Sequence, residues 1–148
     1  MESLNVLFKK VNPSAIAPEY GTSGAAGADL HVVLTENVEI KPHQTVMLHT
    51  GLSVAIPQGY VGLVYPRSGL ACKYGVAPAN KVGVIDEDYR GEIMVALHNH
   101  SEDTHIIHPN DRVAQMIVMP YPKCNYIEVD SLDDTARGGN GFGSTGGI

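Results

Sequence analysis

Short apolar runs rich in Val and Ile, each bounded by Gly, Pro, Asn or Asp, recur along the whole chain. Runs of that length and composition predict strands. They fall near Asn5–Lys10, Ala28–Val33, Thr45–His49, Leu52–Ile56, Tyr60–Tyr65, Lys81–Ile85, Ile93–Asn99, His105–Ile107, Arg112–Val118 and Tyr126–Val129. Pro57-Gln58-Gly59 and Pro109-Asn110-Asp111 supply turn chemistry between neighbours. The stretch from Gly83 to Gly91 reads as a hairpin, two apolar half-strands around a tight acidic turn. Helical periodicity is nearly absent. One short helix is predicted over Ser68–Lys73, with Ser68 as its N-cap and Gly75 ending it. A parallel α/β sheet would need crossover helices that this chain does not have. The pattern predicts an all-β sandwich, jelly roll or barrel.

Length and composition narrow this further. At 148 residues, the chain is one domain's worth and large enough to bury a core without disulfide or metal staples. Sixteen glycines and nine prolines make it rich in turns. A net charge of −6 gives no footprint for a nucleic-acid backbone or an anionic membrane, but a local cationic pocket remains compatible with it. From Pro42 to Pro66 there is no charged Asp, Glu, Lys or Arg, but prolines, glycines, His43, Gln44, His49 and Gln58 interrupt the run. It is not a membrane span. Cys72 and Cys124 match neither a metal motif nor a disulfide framework, and they read as buried, reduced thiols suited to a cytoplasmic protein. No signal-peptide stretch opens the chain. Arg137 to Ile148 carries six glycines and one aromatic, Phe142, and by composition alone would be a frayed tail.

Three stretches carry candidate chemistry. Asp86 ends an apolar half-strand, where a partly shielded, hydrogen-bonded carboxylate could serve as a general base toward water; a solvated acidic turn explains the same residues. Pro66-Arg67-Ser68-Gly69-Leu70-Ala71 joins a strand end to a helix and offers a guanidinium, a hydroxyl and free amides to a phosphate. A capped strand-to-helix turn accounts for it equally well, and no Walker A pattern occurs. His98 and His100 share a strand face, with His105 and His108 close in sequence, yet they lack zinc-ligand spacing and read as solvated.

Five blocks occur in one order: Ala26-Gly27-Ala28-Asp29-Leu30, PRSGLA at 66–71, GVIDEDYRG at 83–91, Arg112-Val113-Ala114-Gln115-Met116-Ile117, and RGGNGFGSTG at 137–146. Together they resemble the trimeric dUTPase family, deoxyuridine 5′-triphosphate nucleotidohydrolases. The resemblance spans residues 26–146. It implies a jelly-roll-like β-barrel over residues 1–136 and a flexible glycine-rich lid over 137–148. The lid would close an active site on a neighbouring subunit of a homotrimer.

By the same resemblance, Asp86 is the general base that activates water for in-line attack on the α-phosphorus of dUTP, with Mg²⁺, giving dUMP and pyrophosphate. That reaction keeps uracil out of DNA and supplies dUMP for thymidylate synthesis. Arg67, Ser68, Gly69 and Gln115 would contact phosphates. Gly83, Val84, Ile85 and Met94 would read uracil through main-chain groups, supported by Asn80, and Tyr89 would lie beneath the deoxyribose. Phe142 would stack on uracil, Gly143 would let the backbone approach the phosphates, and Arg137, Ser144 and Thr145 would bind the γ-phosphate. Asp29 would orient metal-bound water or neighbouring groups, the ion being held mainly by the substrate. Glu87 and Arg90 stand at variable positions of the third block, and Ala28 replaces a frequent tyrosine or leucine. A dCTP deaminase shares the fold and the Arg-Ser block, but Gly-Val-Ile-Asp and the complete Phe142 lid favour the diphosphohydrolase. A non-catalytic dUTP-binding regulator would share the fold too, yet nothing is missing from the catalytic set.

Overall fold

The computed structural model describes residues 3–146; residues 1–2 of the predicted barrel domain and 147–148 of the predicted lid lie outside it. Among the described residues are eleven strands and one helix. A four-stranded sheet runs in the order β1 (Leu7–Lys10), β5 (Thr45–Ala55), β9 (Glu92–Asn99), β7 (Val76–Pro78). A five-stranded sheet runs β2 (Glu19–Tyr20), β3 (Ala28–His31), β11 (Arg112–Pro120), β6 (Tyr60–Tyr65), β8 (Gly83–Ile85). A small third sheet pairs β10 (His105–Ile107) with β4 (Val38–Ile40). Every pairing is antiparallel. The helix α1 spans Ser68–Tyr74.

Strand alternation puts the core between the sheets. Along β9, Ile93, Val95, Leu97 and Asn99 are buried, whereas Met94 points outward. Leu30 of β3, Leu48 and Val54 of β5, Val64 of β6 and Val113 of β11 complete one apolar cluster fed by both large sheets. Asn99 is a polar residue at the end of β9, fully buried and fully satisfied. Its amide donates to the carbonyls of Ile40 and Asp103, at 2.9 and 2.7 Å, while its oxygen accepts from the Ser101 N–H and hydroxyl. Asn99→Ala would leave the buried Ile40 carbonyl without this donor and the Ser101 N–H and hydroxyl without their acceptor, while the exposed Asp103 carbonyl keeps the Ser101 hydroxyl. The expected loss is about 2–4 kcal/mol of unfolding free energy, read as a lower urea midpoint at fixed protein concentration. A shift worth less than about 1 kcal/mol would contradict this role.

The structure departs from the sequence pattern at six places. The predicted strands Thr45–His49 and Leu52–Ile56 are one strand, β5, because Thr50-Gly51 makes a bulge instead of a turn. Gly51 takes a left-handed φ of 69°, and the Thr50 hydroxyl donates to the Ile93 carbonyl, so the ladder shifts register between His49 and Ser53. Gly83–Gly91 is not a hairpin: β8 pairs with β6 in one sheet and β9 pairs with β5 and β7 in the other. The turn between them is therefore a corner from sheet to sheet. Tyr126–Val129 forms no strand; it has no ladder partner among the described residues, and its side chains are exposed. The short strands β2, β4 and β7 carry too few residues for a readable period. Arg67, in extended conformation and without a side-chain cap bond, is the N-cap of α1 in place of Ser68, while Gly75 ends the helix in the left-handed region as predicted. Cys72 and Cys124 are free thiols, but exposed, because α1 buries none of its residues and Cys124 lies beyond the last strand. No helix among the described residues is long and apolar enough to cross a membrane.

Candidate active site

Three of the five sequence blocks meet in one row across the five-stranded sheet. Gln115 on β11 stands opposite Asp29 on β3 and opposite Tyr65 on β6. The Gln115 amide donates to the Pro66 carbonyl at 2.8 Å, fixing the start of the Pro66–Ala71 segment. Gly27 is required here, since a Cβ would collide with the Gln115 side-chain oxygen. Asp29 accepts from the Arg67 guanidinium at 2.8 Å and lies 3.5 Å from Arg112. Arg112, which the motif reading gave no role, thus shares the Asp29 carboxylate with Arg67. His31, two residues along the same face of β3, is buried, and its Nδ1 has no partner among the described residues.

In front of this row lies a cleft of about 440 Å³ between α1 and the β10–β11 region. Arg67, Gly69, Lys73, His105 and Arg112 line it, with Asp111 as the opposing acid. Burial pushes the His105 imidazole below its usual range; Asp111 opposes this and His108 adds to it. His105 is therefore neutral near pH 7, and the fixed cations of the cleft are the two arginines and Lys73. That charge suits an anion on a protein that is acidic as a whole. Ser68 is exposed beside it and lines neither large cleft.

A second cleft, of about 370 Å³, opens where β8 and β9 diverge into separate sheets. Asn80, Gly83, Val84, Ile85, Asp86, Tyr89 and Met94 all line it, which brings the third block and its neighbours together. Its walls are strand edges. β8 is the last strand of its sheet, so one side of its backbone has no ladder partner. On β9, the Ala96 carbonyl accepts from the Ala79 N–H, which places Ala96 on the β7 side. By the two-residue alternation of a strand, the Met94 N–H and C=O point the same way, beyond the end of β7. Among the described residues, the cleft therefore has main-chain groups without ladder partners on both sides.

Asp86 stands at the corner, exposed in the single chain, without the shielding expected for it. Its carbonyl accepts from the Tyr89 N–H at 3.1 Å. The Tyr89 hydroxyl donates to the Glu92 carbonyl at 2.9 Å, and its ring covers Gly91 so closely that no Cβ fits there.

The fifth block is not brought to either cleft in one chain. Beyond the Tyr121 N–H, which donates to Gly59, the hydrogen bonds of residues 122–146 stay within that segment. Arg137 donates to the nearby Asn140 carbonyl, and Phe142, in a left-handed turn with φ of 51°, is fully exposed. Gly143, Ser144 and Thr145 line neither large cleft. His98 and His100 stack edge to face with ring centroids 4.4 Å apart. Among the described residues, no group of three or more His, Cys, Asp or Glu side chains is arranged to hold a metal.

The model of the dUTPase family matches residues 13–146. The chain belongs to the trimeric dUTPase family. It is 49% identical over 144 residues to the deoxyuridine 5′-triphosphate nucleotidohydrolase of Desulfitobacterium hafniense, across 97% of this chain and 95% of that protein. Its fold is similar to the dUTPase of Staphylococcus bacteriophage 80alpha solved with dUPNHPP, at a TM-score of 0.87 and 26% identity, covering 97% and 99% of the two chains. A dUTPase from phage phi11 of S. aureus, solved for the coordination of a structural Mg(II) ion, shares the fold at a TM-score of 0.79 and 22% identity, covering 88% of this chain and 100% of that one. As a dUTPase-family chain, this is a hydrolase acting on nucleoside triphosphates, with a mostly β-sheet fold similar to the family's jelly roll.

Proposed function

We propose that the protein hydrolyses dUTP to dUMP and pyrophosphate, with Asp86 as general base and each site completed by neighbouring copies in a homotrimer. The observation that carries this reading is the cleft between the free edge of β8 and the Met94 region of β9, with Asp86 at its mouth. Uracil offers an N–H donor between two carbonyl acceptors, which suits main-chain groups of Gly83, Val84, Ile85 and Met94, with Asn80 beside them. Cytosine reverses two of those roles. At about 1–3 kcal/mol for each unpaired contact, that alone rejects dCTP by roughly 10²–10⁴. In this reading a thymine methyl would press on the β8 and β9 walls of the cleft, and a ribose 2′-hydroxyl on the Tyr89 ring beneath the sugar.

Arg67, Ser68, Gly69 and Gln115 would serve the phosphates, with Asp29 holding Arg67 in place. The lid would add Phe142 on the base and Arg137, Ser144 and Thr145 on the γ-phosphate, with Gly143 allowing close approach. Two features support a site shared between chains. The base cleft and the cationic cleft have no lining residue in common, and the lid of one chain reaches neither. In-line attack on the α-phosphorus needs a positioned water that gives up a proton, and Asp86 is the acceptor.

The donor set fits a Mg²⁺ that arrives with the nucleotide. The Asp29 carboxylate is engaged by guanidiniums, and no protein cage is present among the described residues. Asp29 would reach the ion through water. When bound, the ion neutralises charge on the phosphate oxygens.

Incubation with dUTP and Mg²⁺ should yield equimolar dUMP and pyrophosphate, with dTTP, dCTP and UTP turned over at least about 100-fold more slowly. Release of orthophosphate, or of ammonia from dCTP, would overturn the reading.

A further inference from the structure

The turn that carries Asp86 holds three acids, and only one of them is bonded to a distant part of the chain among the described residues. Glu87 is half-buried, and its Oε2 accepts the Gly59 N–H at 2.6 Å. The same oxygen lies 3.5 Å from the Tyr121 hydroxyl, a long contact. The Gly59 carbonyl in turn accepts the Tyr121 N–H at 3.1 Å. Three segments therefore meet at one carboxylate: the β5–β6 turn, the corner between β8 and β9, and the root of the C-terminal arm. Gly59 supplies the left-handed residue of its turn, with φ of 80°, and the Tyr60 N–H closes that turn on Pro57. The anchor is a tight turn whose two flanking strands, β5 and β6, are each laddered on both sides in separate sheets.

Asp86 itself has no side-chain hydrogen bond among the described residues. It is held through its neighbours, by buried Ile85 before it and by Glu87 after it. A short bond to a carboxylate is among the stronger hydrogen bonds available to a loop. We propose that Glu87, at a position where the motif itself allows variation, is a positioning residue that holds the Asp86 carboxylate in its working place. This rests on the reading of Asp86 as general base. A base displaced by about 1 Å loses on the order of 10–100-fold in rate without any change in what binds the nucleotide.

The test measures kcat and KM for dUTP in Glu87→Ala, Glu87→Asp and Glu87→Gln, each alone and in an Asp86→Asn background. Glu87→Ala should lose about 10-fold or more in kcat, with KM within about two-fold of the parent and little change in Tm. Glu87→Gln, whose amide oxygen can still accept the Gly59 N–H, should recover most of that loss. In the Asp86→Asn background, removing Glu87 should cost nothing further, since the group it positions is gone. If Glu87→Ala does not assemble, Glu87→Asp decides, because its shorter side chain withdraws from Gly59 and should lower kcat alone. Parental kcat in the folded variant, a change confined to KM, or an added loss beside Asp86→Asn would overturn the proposal. Parental kcat in Asp86→Asn alone would instead overturn the base assignment, so the two failures are told apart.

Discussion

Asp86→Asn should lower kcat by about 10²–10⁴ while leaving nucleotide binding nearly unchanged, the usual contribution of a general base. Asparagine keeps the shape of the side chain and removes only its ability to take a proton from water. The corner geometry makes this a clean substitution: Asp86 is exposed and is held by its backbone, so no buried partner is left unpaired. The walls of the base cleft are main chain and are untouched. Steady-state kinetics for the rate and equilibrium titration with a non-hydrolysable dUTP analogue for binding separate the two effects. A kcat within a few-fold of the parent would remove Asp86 from the mechanism.

A chain ending at Ala136 should fold and assemble as the full chain does, yet lose most of its activity. Residues 137–146 contribute nothing to the apolar core, but they carry Arg137, Phe142, Ser144 and Thr145. Aggregation or a monomeric truncated chain would show instead that the tail is structural. The shared-site reading adds a sharper expectation. Asp86→Asn with an intact tail, mixed with the truncated chain carrying Asp86, should rescue activity when the two are co-expressed or refolded together. In random 1:1 trimers a given site draws a working Asp86 with probability one-half and a working tail with probability one-half. Roughly a quarter of sites then recover, given closed three-fold assembly. Confirmed mixed trimers as inactive as their parents would place both elements of a site on one chain.

Strands with regular burial were legible in the sequence. β6, β9 and β11 repeat an inward residue every second position or nearly so, and that period survives in one dimension. Partnership does not survive in this way. The apolar run at Tyr126–Val129 signals a face suited to burial but cannot name what covers it, and among the described residues nothing does. Turn chemistry at Asp86–Gly91 was visible, whereas the separation of its flanking strands into two sheets depends on β6 and β5, far away in sequence. The bulge at Thr50-Gly51 resembles a turn until the Ile93 carbonyl is seen to capture the threonine hydroxyl. Motif blocks singled out Asp29, Arg67 and Gln115, and the register across β3, β11 and β6 brings them to one row. Arg112 and Glu87 carried no signal beyond their charge, because what defines them is a partner supplied by another strand or turn.

The arm that leaves the sheets at Tyr121 also has a consequence for concentration. Sixteen residues, Tyr121 to Ala136, separate the last strand from the first lid residue. Extended, such a leash spans up to about 50 Å. In the proposed shared site, a lid tethered in this way would meet the site on its neighbour at an effective concentration on the order of millimolar for as long as the trimer holds together. Closure would then be governed by the length and stiffness of the leash as much as by the contacts the lid makes. Lengthening the arm would thin the lid's local concentration gradually, whereas shortening it below the span would remove the lid from the reaction at once.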